Sequence, residues 1–268
     1  MEVADMQELF EQYIKTEKIM FKYARGKSAR SGREFHVYHE IVFFIDGKAE
    51  FISENIHVDI VPGTVFVIPK ETYHQFLIKE DHESYFRCVI NFHDFPDISR
   101  FIELIPSIQM IMPTDSDIDY LLKKLINNVS SPNTDKLLSA VLILLLNEIT
   151  QNNSVCTAET IQNTFVRSAV DYINNHIDEK ITIGRIAKEC MISPSSLSHI
   201  FKKEMNISLH KFITKKRLIN AYHKIMAGEK ATIAAAECGF NDYSGFYKQY
   251  KKMFNVAPSE KITDFSKE

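Results

Sequence analysis

The amino-acid sequence predicts an α+β protein in which a β-barrel with trailing helices precedes an all-α domain. Three observations predict this order. Residues about 35–95 alternate short β-rich runs with turn residues, residues about 97–151 carry helical periodicity, and the last third repeats one helical pattern. A chain of 268 residues has room for about two domains. We expect an effector-binding and dimerisation domain over 1–155, a linker at 156–163 and a second domain over 164–268.

The barrel is predicted over residues about 18–95. The β-rich runs cover residues 36–45, 48–53, 56–60, 64–68, 73–79 and 85–92. Asp46 and Gly47 separate the first two runs and predict a tight hairpin, because both residue types tolerate positive φ. Pro62-Gly63 and Pro69 mark later turns. Short strands at this spacing favour a small barrel or a sandwich.

Two helices are predicted after the barrel, at Asp117–Val129 and Thr134–Thr150. The second is apolar nearly all round, so it should be covered on more than one side. It is either a core helix against the barrel or partly a dimer interface, and periodicity does not separate the two. Residues 151–162 have no apolar period and are typical of a linker.

The last third of the chain carries one pattern twice. The sequence AKEC at 187–190 precedes FKK at 201–203, and AAEC at 235–238 precedes YKK at 250–252. Each copy combines a short helix, a turn and an amphipathic basic helix, which indicates two helix-turn-helix units at about 181–206 and 230–255. Between them, residues 209–227 form a predicted spacer helix of roughly 28 Å, close to the ~34 Å repeat of the major groove.

The second helix of each unit divides into a core face and an outward face. The predicted core positions are Leu197, Ile200, Phe201, Met205, Phe246, Tyr250 and Phe254. The outward residues are the candidate DNA contacts, because a recognition helix reads bases near its N-terminus while flanking lysines meet phosphate. They are Ser195, Ser196, Ser198, His199, Lys202 and Lys203 in the first unit, and Tyr243, Ser244, Tyr247, Lys248 and Lys251 in the second.

Charge is divided unequally along the chain. Residues 1–163 carry 15 Lys/Arg against 24 Asp/Glu, whereas residues 164–268 carry 17 against 11. The basic part is therefore the one that attracts a polyanion such as DNA. Four scattered cysteines without a CxxC pair favour reduced thiols over a disulfide or zinc framework. The N-terminus does not have the pattern of a signal peptide, so we expect a cytoplasmic protein without membrane association.

The basic region resembles the AraC family of bacterial transcription regulators. The resemblance covers about residues 181–259, in Ile186-Ala187, SPSSLS at 193–198, FKKE at 201–204, Gly239-Phe240 and APSE at 257–260. It implies double-stranded promoter DNA as a partner, a small-molecule effector, contact with RNA polymerase, and a homodimer formed through the N-terminal domain.

Four positions depart from the family pattern. Met191 stands where the first turn usually has Gly, Ala231 and Ala234 replace larger aliphatic residues, and Gly245 replaces an aromatic residue. We therefore expect the second unit to be the less stable one and the weaker reader of DNA sequence.

The acidic part resembles a cupin-like barrel. Its motif positions are occupied by Glu34, His36, Glu40 and His74, with Glu71 in place of a usual Gly. We predict these four polar residues to contact an organic effector. A metal ion is chemically possible there, but the motif is eroded and we assign no metal, cofactor or catalytic residue.

Two other classes of function remain open. One is a metal-dependent cupin enzyme with an accessory helical domain. The other is a protein-interaction module whose helix pairs bind a partner protein. The repeated units and the local positive charge favour a DNA-binding regulator.

Overall fold

The structure is a computed structural model of the whole chain, and it describes residues 11–25, 33–54, 56–79, 85–112, 117–128, 133–151, 163–177, 179 and 181–260. The chain forms two compact units, one carrying nearly all of the strand residues and the helices that directly follow them, the other carrying the C-terminal helices. The predicted linker at 156–163 lies outside the described residues except for Asn163, whose side chain caps the helix that follows.

The strands of the first unit form two sheets. They are β1 (Glu11–Lys15), β2 (Ile19–Arg25), β3 (Arg33–Glu34), β4 (His39–Asp46), β5 (Ala49–Ser53), β6 (His57–Ile60), β7 (Val65–Ile68), β8 (His74–Ile78), β9 (Phe86–Phe92) and β10 (Gln109–Ile111). One sheet has the order β1-β2-β9-β4-β7-β10 and the other the order β3-β8-β5-β6. Among the described residues the two sheets give a barrel-like arrangement that is not closed, and the predicted α+β class is confirmed.

The two faces of the larger sheet have different partners. On β4, Ile41 and Phe43 share a hydrophobic core with buried residues of the helices that follow the barrel. Because side chains alternate along a strand, the intervening Glu40, Val42 and Phe44 face the opposite way, into the barrel. The inner face is buried as well, so β4 is covered on both sides.

Three helices follow the strands: α1 (Ser99–Glu103), α2 (Ile118–Ile126) and α3 (Thr134–Gln151). The predicted bounds of α2 and α3 are close to these. Leu138, Leu142, Leu145 and Ile149 of α3 are buried in the core shared with the larger sheet. This side of α3 is thus a core face, and the dimer interface stays a prediction.

The second unit is all-helical. Its helices are α4 (Thr164–Asn175), α5 (Ile183–Glu189), α6 (Pro194–Met205), α7 (Leu209–Met226), α8 (Ala231–Glu237) and α9 (Tyr243–Phe254). The predicted core positions of α6 and α9 are buried, except that Ile200 is only half-buried. No helix among the described residues is long and apolar enough to cross a membrane.

The predicted hairpin at Asp46-Gly47 is wrong. Gly47 does adopt positive φ, at 106°, but the strands on either side of it belong to different sheets. β4 instead pairs antiparallel with β7 and β9. The Asp-Gly turn therefore carries the chain from one sheet of the barrel to the other.

Candidate nucleic-acid interface and barrel site

The first candidate recognition helix, α6, has a defined start and stop. The Ser193 hydroxyl accepts a hydrogen bond from the Ser196 backbone N–H at 3.1 Å, and Pro194 occupies the first turn. This cap satisfies one of the N–H groups that a helix start leaves without a partner. Asn206 ends the helix in the left-handed conformation, with φ of 49°.

The second candidate recognition helix, α9, begins and ends in the same way. Asp242 caps it by accepting a hydrogen bond from the Gly245 N–H at 2.6 Å. Asn255 ends it in the left-handed conformation. A β-carbon at position 245 would lie 2.8 Å from the Asp242 carboxylate, so the missing side chain leaves room for this cap.

The two helices present matched exposed faces. Ser193 corresponds to Asp242 and Asn206 to Asn255, so the helices align with an offset of 49 residues. In this register Ser198 corresponds to Tyr247 and His199 to Lys248. With about 100° of rotation per residue, each set of outward side chains follows one side of its helix.

The predicted DNA contacts lie on these faces, but the exposure of their side chains differs. Ser195, Ser196, His199, Lys202, Lys203, Tyr243, Ser244, Lys248 and Lys251 are exposed, while Ser198 and Tyr247 are half-buried. The Ser198 hydroxyl donates to the Pro194 carbonyl at 2.7 Å, which leaves its oxygen lone pairs for a donor. Its role in reading bases would be as an acceptor.

The turn before each recognition helix has the same backbone form with different residues. Met191 has φ of 54° and Gly239 has φ of 79°. The next N–H donates to an equivalent carbonyl in both turns, Ile192 to Ala187 and Phe240 to Ala235, at 3.0 Å each. Met191 therefore occupies a left-handed position that suits glycine, the residue that is usual at this point of the family pattern.

Arg217 of α7 connects the two helix-turn-helix units. Its guanidinium donates to the Ile181 carbonyl at 3.1 Å, just before the first unit. The same group lies against the turn of the second unit, where a β-carbon on Gly239 would be 3.2 Å from the guanidinium carbon. Partial burial lowers the pKa of Arg217 from its usual value. Sequence reasoning missed this residue, because nothing local distinguishes it from the neighbouring basic residues of the spacer helix.

In the barrel, the structure brings together three of the four predicted effector contacts. Glu40 lies on β4, His74 begins β8 in the other sheet, and His36 lies in the segment before β4. Glu40 Oε2 is 2.9 Å from His74 Nε2 and 3.5 Å from His36 Nε2. All three side chains are buried, with exposed fractions of 7% or less. The backbone of Glu34 pairs with His74, and its side chain lies outside the described residues.

Both imidazoles are oriented by backbone carbonyls. His36 Nδ1 is 2.7 Å from the Tyr38 carbonyl, and His74 Nδ1 is 3.2 Å from the Thr72 carbonyl. A carbonyl oxygen only accepts, so both Nδ1 atoms carry the proton and both Nε2 atoms face Glu40. The Glu71 N–H donates to the His36 carbonyl at 2.7 Å, and Glu71, which stands in place of a usual Gly, adopts the left-handed conformation with φ of 67°.

The electrostatics of the site favour the carboxylate form of Glu40. Burial raises the pKa of this carboxyl group, but hydrogen bonds and charge interactions with His36 and His74, which require a proton on Nε2 of the imidazole, together outweigh it. The net effect places the pKa of Glu40 well below its usual value. The interior therefore holds a negative charge between two imidazoles.

His39 belongs to a separate cluster. Its Nε2 is 2.9 Å from Asp94 Oδ1, and its Nδ1 accepts from the Lys70 N–H at 3.3 Å. Lys70 Nζ also contacts Asp94. The His39 ring is thus in the opposite tautomer from His36 and His74, and both of its nitrogens are used in holding the barrel together.

Comparison with known proteins supports the nucleic-acid interface. Residues 186–262 match a family model described as a helix-turn-helix domain. The chain is 23% identical over 226 residues to the probable transcriptional regulator LumQ of Photobacterium leiognathi, covering 84% of this chain and 89% of that protein. Over 98 residues it is 32% identical to the arabinose operon regulatory protein of Escherichia coli, covering 35% and 33%.

The C-terminal unit of the chain therefore contains a helix-turn-helix domain similar to those of transcriptional regulators. Among solved structures, it is similar to apo ToxT from Vibrio cholerae, with a TM-score of 0.42, 14% identity, and coverage of 91% of this chain and 97% of that one. Both recognition helices lie within the residues that match the helix-turn-helix family model, and the two relatives named above are transcriptional regulators.

Proposed function

We propose that this protein is a transcriptional regulator that binds promoter DNA through the exposed faces of α6 and α9 and is controlled by a small molecule in its barrel. The matched and capped recognition helices carry the proposal. Their basic side chains are exposed at equivalent positions, so both helices attract phosphate from one side. The predicted contacts on α6 include Ser195 and His199 for bases and Lys202 for phosphate.

The spacer helix supports simultaneous binding of both units. α7 contains 18 residues, which at ~1.5 Å per residue span about 27 Å. Successive major-groove faces on one side of B-DNA are ~34 Å apart. A single chain thus contacts neighbouring segments of the major groove. A homodimer formed through the unit that carries the barrel doubles the number of contacts with DNA.

We propose that the barrel binds the controlling ligand and that the DNA-bound protein contacts RNA polymerase. The buried His36, Glu40 and His74 supply polar groups that fix the orientation of a small ligand. Binding there would shift the population between arrangements that do and do not suit promoter binding. The protein then acts in the cytoplasm, where promoter DNA is, and has no catalytic role.

The experiment is DNA binding by the full chain at several salt concentrations. Genome-wide mapping of bound fragments supplies the duplex, and fluorescence anisotropy measures affinity. Lys202→Glu should weaken binding and lower the slope of log affinity against log salt by about 0.9, as expected when one phosphate contact is lost.

Lys136→Glu is the matched control, because Lys136 is an exposed helical lysine on α3, outside the helix-turn-helix units. It should leave the slope unchanged. Equal effects of the two substitutions, or a salt-independent affinity in the unmodified protein, would refute a phosphate-contacting role for α6.

A further inference from the structure

The most unusual feature of the barrel interior is the way its polar groups point at one another. Both Nδ1 atoms donate to carbonyls, so a neutral imidazole directs the lone pair of its Nε2 toward Glu40. Two lone pairs and a carboxylate would then meet in a site from which water is largely excluded. That arrangement requires a positive charge among the three groups.

Protons meet this requirement only incompletely. A single proton on one imidazole leaves the other lone pair facing the carboxylate. Protons on both imidazoles leave an excess positive charge in the interior of the barrel, which is costly. One divalent cation accepts electron pairs from all three groups at once and uses each nitrogen as a ligand.

The separations suit such an ion. The three donor atoms all lie within 4.8 Å of one another. Metal–ligand bonds of ~2.0–2.2 Å place the ligands of a tetrahedral zinc ion roughly 3.4 Å apart. The distances from Glu40 Oε2, 3.5 Å to His36 and 2.9 Å to His74, are within about 0.5 Å of that value.

The surroundings supply the features that a metal ligand set needs. Hydrogen bonds from Nδ1 to backbone carbonyls orient metal-binding histidines and make them better ligands. Asn91 lies directly opposite Glu40 on β9, so its side chain shares the inner face of the sheet. Its Oδ1 is buried and accepts no hydrogen bond from a described residue, which makes it a candidate fourth ligand.

We propose that His36, Glu40 and His74 bind one divalent transition-metal ion. Two imidazoles and a carboxylate suit Zn²⁺, Fe²⁺, Mn²⁺ or Co²⁺ better than Mg²⁺ or Ca²⁺, which prefer oxygen ligands. The ion would join β4 of one sheet to β8 of the other and so bias the shape of the barrel. The regulatory meaning of that bias rests on the proposed function, whereas metal binding does not.

The test is metal binding by the full chain in the absence of DNA. Protein treated with a chelator is dialysed against Zn²⁺, and bound metal is quantified by mass spectrometry. The expected result is one ion per chain. Glu40→Gln and His74→Ala should each weaken Zn²⁺ binding by about tenfold or more, while His210→Ala, which removes an exposed histidine, should leave it unchanged.

Two measurements keep the result interpretable. Circular dichroism of each variant without metal checks that it folds. Co²⁺ in place of Zn²⁺ should give a visible absorption band whose intensity and position change in Glu40→Gln, the nearly isosteric variant. Absence of Zn²⁺ binding at micromolar concentration, or equal binding by wild type and Glu40→Gln, would overturn the proposal, the latter by placing the ion elsewhere.

DNA affinity of the same samples is measured separately. Loss of DNA binding with retained Zn²⁺ binding would count against the proposed function alone. Loss of Zn²⁺ binding with retained DNA binding would count against the metal site alone.

Discussion

Position 191 offers a direct measurement of backbone strain in a helix-turn-helix turn. Met191 adopts φ of 54° with 89% of its surface exposed, so its side chain contributes little burial. A non-glycine residue in the left-handed region costs ~1–2 kcal/mol. Glycine removes that cost but also loosens the unfolded chain by ~0.4–1 kcal/mol. Met191→Gly should therefore raise the free energy of unfolding of the helical unit by about 0.5–1 kcal/mol.

The assay is thermal unfolding of the full chain followed by circular dichroism at the helical band, since the second unit is all-helical. For a unit of about 100 residues, 0.5–1 kcal/mol corresponds to roughly 2–5 °C in the midpoint. Met191→Ala is the control, because alanine keeps the β-carbon that makes this conformation unfavourable. It should move the midpoint by much less than glycine does.

The equivalent turn of the second unit supplies the reverse experiment. Gly239→Ala adds a β-carbon at φ of 79° and 3.2 Å from the Arg217 guanidinium, so it should lower the midpoint. The strain argument is refuted if Met191→Gly and Met191→Ala behave alike, or if Gly239→Ala is neutral.

Three further predictions concern core packing, a surface ion pair and a buried thiol. Ile186→Ala should lower the free energy of unfolding in urea by about 2–4 kcal/mol, because this side chain is fully buried. The control Ile233→Ala should lower it by about 0.5 kcal/mol or less, because Ile233 is 43% exposed. Equal losses would contradict the packing assigned to the first helix-turn-helix unit. The hydrogen bond from His39 lowers the pKa of Asp94, partial burial opposes this, and Lys70 adds to it. Asp94→Asn should therefore destabilise the barrel at neutral pH. The difference in stability between variant and wild type should shrink as the pH falls below ~4, the pKa of an unfolded Asp. A difference in melting temperature that does not depend on pH would contradict this. Burial raises the pKa of Cys88 to about 12, so iodoacetamide should label it in urea but not in the folded protein, as peptide mass mapping would show.

Much of the fold follows from local patterns. The alternation of β-branched runs and turn residues predicted most strands of the barrel, and the periodicity after residue 117 predicted α2 and α3. These succeeded because burial of one face imposes a period that is visible in a short window. The repeated motif predicted both recognition helices, which the structure places at Pro194–Met205 and Tyr243–Phe254.

The failures have a common physical origin in long-range pairing. Asp46-Gly47 has the local chemistry of a hairpin turn, yet β4 finds its partners in β7 and β9. No short window contains the information that the next strand joins the other sheet. Asp94 was missed for the same reason, since it meets His39 from 55 residues away.

The barrel site was only partly predictable. Motif positions identified His36, Glu40 and His74, and the structure brings these side chains together; their contact with an effector stays a prediction. The tautomers could not be predicted, because they depend on the carbonyls of Tyr38 and Thr72. The lower stability expected for the second helix-turn-helix unit stays a prediction. Its first helix, α8, lacks the side-chain cap that Thr182 provides for α5.

The contact that Arg217 makes with both helix-turn-helix units has a consequence for the DNA. Each base pair of B-DNA rotates the groove by roughly 34–36°. If α6 and α9 bind DNA as proposed, the spacer helix that Arg217 ties to both units sets the rotation between the two recognition helices as well as their separation. A promoter with one base pair inserted between its two half-sites would present the second on a rotated face of the duplex. The number of base pairs between the half-sites would thus matter for recognition as much as the bases themselves.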